Sequence, residues 1–223
     1  MYNYTAFCVG IVSCIFVRYC YSLIDRLLAK KNVHYDKLVT HRKLYVQKNI
    51  VKSVYLACMV VSASVLVVWP IITTNVWKTT LIQTYAVMYG SNDLVGLLCV
   101  PNLPSTTKIH HCVSTFLVLV SLGIDFQHSE IGQSMLVYTY ASASAYIVNF
   151  HLGIRWLYVR DQHRWLRWTA AVVYLVTCCL SWSWHLWWTY TRAHLYWYHV
   201  VYIVLLLWIV RDDIILMRWL TSI

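Results

Sequence analysis

The sequence predicts an all-α polytopic membrane protein, a helical bundle of about seven transmembrane helices. Three observations predict it. Of the 223 residues, 60% are hydrophobic and 12% are charged, too few charges to coat a soluble fold of this length. The apolar residues gather into about seven stretches of roughly 16–24 residues, near the ~20 that a helix needs to cross the hydrocarbon core. Mean hydropathy is +0.58, and the basic residues alternate from one connection to the next.

Taken in order, the first stretch is 4–24. No basic n-region precedes it, so it reads as a span and not as a cleaved signal peptide. Segment 25–52 carries Arg26, Lys30, Lys31, Lys37, Arg42, Lys43, Lys48 and Lys52 against Asp25 and Asp36, and reads as a basic cytoplasmic hairpin. Six further stretches follow at 53–74, 80–100, 109–127, 132–152, 169–189 and 195–217. The division is therefore a first helix (1–24), the hairpin (25–52) and a six-helix membrane domain (53–217). Lys108, then Arg155, Arg160, Arg164 and Arg167, then Arg211 and Arg218 fall on the same side as the hairpin. That side holds 15 of the 18 basic residues. The opposite connections hold Lys78 and Arg192 beside Asp125 and Glu130. Lys and Arg resist translocation, which puts the N-terminus outside or lumenal and the C-terminus in the cytoplasm.

The net charge of +10 is mostly this cytoplasmic coat. It implies anionic lipid headgroups as partners, at roughly 1 kcal/mol per basic residue near the surface, and not nucleic acid. The sequence names no protein partner. Eight cysteines sit in or beside the spans without zinc or redox spacing, and read as packing residues; no metal is expected. The tryptophans crowd near span ends, notably Trp182, Trp184, Trp187, Trp188 and Trp197, as an interfacial belt.

Polar groups inside the spans carry the functional information. An ionisable group at bilayer depth costs ~2.5–3.5 kcal/mol on insertion scales, so it faces the bundle interior and finds a partner. The third span holds Asp93, with Tyr85, Tyr89, Asn92 and Gly96 on a broad polar face. The fourth opens with His110-His111. At ~100° per residue, His110, Ser114, Ser121 and Asp125 fall within roughly 60° of one another, and His111 lies to one side with Thr115. On the fifth, Tyr138, Ser142, Tyr146, Asn149 and Gly153 share a stripe. These seams predict a lined cavity. Span direction puts Asp93, His110, His111, Asn149, His151 and Arg155 in one leaflet, with His185 and His199 near the other face.

Several chemistries are excluded. There are no His-x-x-His-His boxes for a membrane di-iron centre, and no lysine in 195–217 for a retinal Schiff base. No Gly-rich phosphate loop and no Gly-x-Ser-x-Gly elbow is present.

An ordered set of short motifs then carries a resemblance. Lys52-Ser53-Val54-Tyr55 is followed by Tyr89-Gly90-Ser91-Asn92-Asp93-Leu94-Val95-Gly96-Leu97-Leu98. Next come Ile109-His110-His111 and Asn149-Phe150-His151-Leu152-Gly153-Ile154-Arg155-Trp156-Leu157. Over about residues 45–215 this resembles the TLC domain shared by ceramide synthases, translocating-chain-associating membrane proteins and smaller TLC-domain proteins. The resemblance implies a protein of the endoplasmic reticulum or another endomembrane that binds lipid acyl chains and influences membrane lipid composition, sphingolipids included. It implies acyl transfer from acyl-CoA to a sphingoid-base-like lipid as the reaction, with no resident cofactor. His110 or His111 would be general base or acyl acceptor, and Asp93 would orient the imidazole. Three departures set the chain apart from a full ceramide synthase. Tyr55 stands where many members have histidine, Ser114 replaces the threonine after the doublet, and residues 131–154 contain no Asp or Glu. The smaller TLC-domain proteins are the closer match. A structural membrane component and a small-solute transporter are the other readings; no repeat and no paired broken helices support transport.

Overall fold

The computed structural model describes residues 2–158, 164–191 and 196–222. Among them all regular structure is helical, and three helices are long and apolar enough to cross a membrane: Tyr4–Lys31, Thr40–Thr74 and Arg164–Tyr190.

Helix α1 (Tyr4–Lys31) starts where the Asn3 side chain accepts from the Ala6 N–H at 3.0 Å, and ends with Lys30 and Lys31 near its free carbonyls, the charge that suits a helix C-terminus. Asn32 closes it and caps the single turn α2 (Val33–Asp36) through the Tyr35 N–H. Helix α3 (Thr40–Ala63) follows. The chain therefore turns only over 32–39, and both flanks of the 25–52 segment are helix, α1 and α3 packing on each other. Buried Tyr35 and Gln47 both donate to Asp25, at 2.6 and 2.8 Å, and so lock the turn to both helices. Burial, with the Asp25 bond second, raises the Tyr35 phenol above its ordinary value and keeps it a donor.

The α3 rod continues through a π-helical stretch (Ser64–Val68) into α4 (Trp69–Thr74). Pro70 supplies a physical reason: it has no N–H for Leu66 and crowds that carbonyl, so the ladder slips locally to wider bonds. Asn75, at φ 51°, stops the rod in the left-handed conformation. Helix α5 (Thr79–Cys99) ends ahead of Pro101, and Pro104 opens α6 (Ser105–Ser121). Gln83 on α5 donates to the carbonyls of Ser121, Leu122 and Ile124, satisfying the end of α6.

Ser129 caps α7 (Glu130–Ser144). The stretch read as one fifth span breaks at Ala145, whose N–H turns back to the Ser142 carbonyl at 3.2 Å. Helix α8 (Tyr146–Ile154) resumes at once, and α9 (Arg164–Tyr190) and α10 (Trp197–Thr221) complete the chain. The helices outside the three long apolar ones are short or interrupted by polar groups. Helix α6 has 17 residues, α5 holds Gln83, Asn92 and Asp93, and α10 holds Arg211, Asp212 and Asp213.

Helix contacts close a ring: α3 against α5, α5 against α6, α6 against α10, α10 against α9, α9 against α7 and α8, and α8 back against α3. Helix α1 packs outside the ring on α3 and α5. The α3–α8 seam is tight because Gly153 has no side chain; a Cβ there would stand 2.7 Å from Ile50 Cγ1 and 3.0 Å from the Ile50 backbone nitrogen. Val113, Leu117, Met135, Tyr138, Trp188, Tyr202 and Leu206 pack α6, α7, α9 and α10 together. Outward faces are apolar, with Ile15, Val61, Ile72, Leu180 and Leu186 exposed, while Gln47, Lys48, Asn49, Lys52, Asp93 and His111 are buried. Apolar side chains across the outer faces, with charged groups among the buried residues, depart from the pattern of a water-soluble fold.

Candidate functional site

A cavity of roughly 350 Å³ lies within the ring toward the α3–α6–α10 side. Helix α3 presents Tyr45, Lys48, Asn49 and Lys52 to it, at the i, i+3, i+4, i+7 spacing of one helical face. Helix α6 contributes His110 and His111, α8 Asn149, α9 Tyr174, and α10 Asp212, Asp213 and Trp219; Ser142 and Arg155 also line it. Exposed Pro104 marks where the lining reaches the outside.

Asp93, on α5, is fully buried and is the hub. Its Oδ1 takes the Lys52 ammonium in a short ion pair, and Ser114 Oγ donates to Oδ2 at 2.7 Å. His111 Nδ1 stands 3.0 Å from Oδ1, close but not aligned as a linear hydrogen bond. On the other side of the ring, His111 Nε2 is 3.0 Å from Lys48 Nζ. A lysine ammonium only donates, so Nε2 accepts and the imidazole proton sits on Nδ1, turned toward the carboxylate. Four side chains from three helices thus form a chain, Lys48–His111–Asp93–Lys52. The stem of Lys48 passes over Gly96, where a Cβ would come within 2.9 Å of Lys48 Cε.

A second polar group adjoins it. His110 Nδ1 stands 3.3 Å from Asp212 Oδ2 and meets His111 edge to face. Asp213 accepts from the Tyr174 hydroxyl at 2.7 Å. The Arg155 guanidinium lies over the rings of Trp219, Trp156 and Tyr45, at 4.6, 5.1 and 5.3 Å, so it is held by cation–π contact and not by Asp93.

The residues predicted from sequence separate into four groups, with Ser114 in two of them. Asp93, His110, His111 and Ser114 cluster around the carboxylate, and Ser142, Asn149 and Arg155 line the cavity. Tyr85, Tyr89 and Ser114 line instead a narrower, largely apolar pocket of roughly 50 Å³, with Leu117, Met135 and Leu206. The Tyr89–Ser142 hydrogen bond, 2.8 Å, joins a residue of one space to a residue of the other. Three expected lining residues line neither of these two spaces. Tyr146 turns outward and is exposed, because the break at Ala145 rotates α8 relative to α7. His151 is buried beside Trp219, behind the wall. Asn92 is buried within its own helix, its amide 3.5 Å from the Met88 carbonyl.

Sequence reasoning missed Lys48 and Lys52, read as surface coat, and it missed Tyr45, Tyr174, Asp212 and Asp213. Two signals could have found them: the helical spacing of 45, 48, 49 and 52, and two adjacent aspartates inside an apolar stretch. His185 bonds Tyr202 and the Ser181 carbonyl, and neither it nor His199 lines the cavity.

Asp93, His110 and His111 each offer one ligand atom within 4.8 Å of the others. The donor set does not suit a metal ion as built. Lys52 already occupies Asp93 and Lys48 already occupies His111, so a cation would meet two amines at its ligands. A carboxylate that orients an imidazole, with an amine on the far nitrogen, is instead suited to moving protons.

Compared with models of protein families, with curated proteins and with solved structures, the chain has no match.

Proposed function

We propose that this chain is an integral membrane protein of about seven spans, similar to the smaller TLC-domain proteins. On this reading it holds a lipid acyl chain between its helices and influences membrane lipid composition without full ceramide synthase activity. The N-terminus is lumenal or outside, the C-terminus cytoplasmic, and the membrane is the endoplasmic reticulum or another endomembrane. One observation carries the reading: a charged cavity and an apolar pocket adjoin across the Tyr89–Ser142 bond inside a ring whose outer face is apolar. Cavities of a few hundred Å³ suit small ligands; the larger space takes a polar head, and the pocket of roughly 50 Å³ takes only the first carbons of a tail. Native mass spectrometry of protein purified in mild detergent should find a lipid retained. Met135→Trp with Leu206→Trp, which fills the pocket, should remove it. A protein that holds no lipid in either form overturns the reading.

The Asp93–His111 contact favours a second reading, histidine-dependent acyl transfer from acyl-CoA to a sphingoid base. Lys48 weighs against it, because His111 Nε2 already receives its amine and is not free for substrate. The wild type should therefore show no transfer. Turnover that falls roughly 10²–10⁴-fold in His110→Ala with His111→Ala, the range for a lost general base, would replace the binding reading with the enzymatic one.

A further inference from the structure

We infer that Lys48 is an amine nucleophile that forms an imine with an aldehyde or ketone entering the cavity. The inference goes beyond lipid binding and does not depend on it. Three observations carry it. First, the buried Lys48 amine faces a ring nitrogen, not a carboxylate; the nearby carboxylate, Asp93, is engaged by Lys52, one helical turn along α3. A desolvated lysine beside a second cationic group is a recurring arrangement for carbonyl chemistry. Second, His111 Nε2 stands 3.0 Å from Nζ with the Asp93 carboxylate beside its other nitrogen, so its lone pair faces Nζ and can take a proton from it. Third, Lys48 lines the cavity and its stem is seated where Gly96 leaves room for it. It is a placed side chain, not one folded in from the surface.

In the step, His111 Nε2 takes a proton from the Lys48 ammonium, and the Nζ lone pair so freed bonds to the carbonyl carbon while the C=O π pair moves to oxygen. The two protons that leave nitrogen pass through His111 to that oxygen, which departs as water and leaves a C=N bond. No oxidant or reductant is consumed. His110, placed on Asp212, lines the same cavity.

The test uses the full chain in detergent, with hexanal as probe and sodium cyanoborohydride to reduce the imine to a stable secondary amine. Hexanal is short, so the outcome is separate from that of lipid retention. Peptide mass spectrometry then compares sites. Lys48 should gain the hexyl group at least tenfold faster than exposed Lys30 and Lys37, despite its burial. His111→Ala should slow Lys48 by tenfold or more and leave the exposed lysines unchanged. Gly96→Ala, which displaces the Lys48 stem without removing an ionisable group, should also slow it. Labelling of Lys48 no faster than Lys30 and Lys37 in the wild type, which needs no variant to fold, overturns the proposal. Equal Lys48 rates with and without the His111 imidazole overturn it too.

Discussion

Asp93 shows how one residue organises a region. A carboxylate with no exposure must be paired, and removing its partner leaves a buried charge behind. Asp93→Ala strands Lys52 and should cost about 3–5 kcal/mol, seen as a fall in the midpoint of thermal unfolding in detergent. Asp93→Leu with Lys52→Met removes both charges and should recover most of that loss. If the double variant is no better than the single, the ion pair is not what Asp93 contributes. The partnership of Asp93 with His111 is legible in the sequence, since an aspartate near the end of one apolar stretch and a histidine doublet at the start of the next lie at one depth. The lysines are not legible in the same way. A Lys just ahead of an apolar stretch has the composition of a surface charge, and only the approach of α5 and α6 turns Lys48 and Lys52 inward. Asp212 and Asp213 were within reach, because the rule that exposes Asp93 applies equally to them.

At the scale of elements, hydropathy locates each helical segment well and says little of its irregularities. No glycine or proline marks the break at Ala145, so the fifth stretch reads as continuous although its two halves face differently. Pro70 was visible, but its outcome, a π-helical stretch in a rod that stays unbroken, depends on packing. Close seams follow glycine. Gly153→Ala should force α8 away from Ile50 and cost roughly 1–3 kcal/mol, the range for overpacking, measured by the same thermal unfolding. Gly123→Ala, which meets only the Val120 carbonyl at 3.7 Å, is the control and should change little. The connection from α6 to α7 adds a pH response. Asp125 accepts from His128, from the Gln127 N–H and from Thr79, and these bonds, His128 foremost, hold its carboxyl below the usual range. Its contribution is complete above the unfolded carboxyl value, about 3.9, and is lost as pH falls through the lower folded value. Asp125→Asn should therefore flatten the acid limb of stability against pH below about 4. An unchanged acid limb assigns that loss to other carboxylates.

For the molecule as a whole, orientation is the expectation most open to direct measurement. Glycosylation acceptor sites introduced near residue 128 and near residue 38 should be modified only at the first; modification at the second reverses the topology. The position of α1 outside a closed ring has a different consequence. The ring of α3 and α5–α10 completes its circuit without α1, which reaches it through Asn3 on Gln83, through Asp25 on Gln47, and through Val17 and Tyr21 packed beside Val51 and Val95. In thermodynamic terms α1 is an intramolecular ligand, and residues 32–39 are the tether that sets its effective concentration. Cutting the tether should turn a concentration-independent association into an ordinary binding equilibrium. Residues 1–36 and 37–223 expressed as separate chains should then copurify, with a yield that falls on dilution.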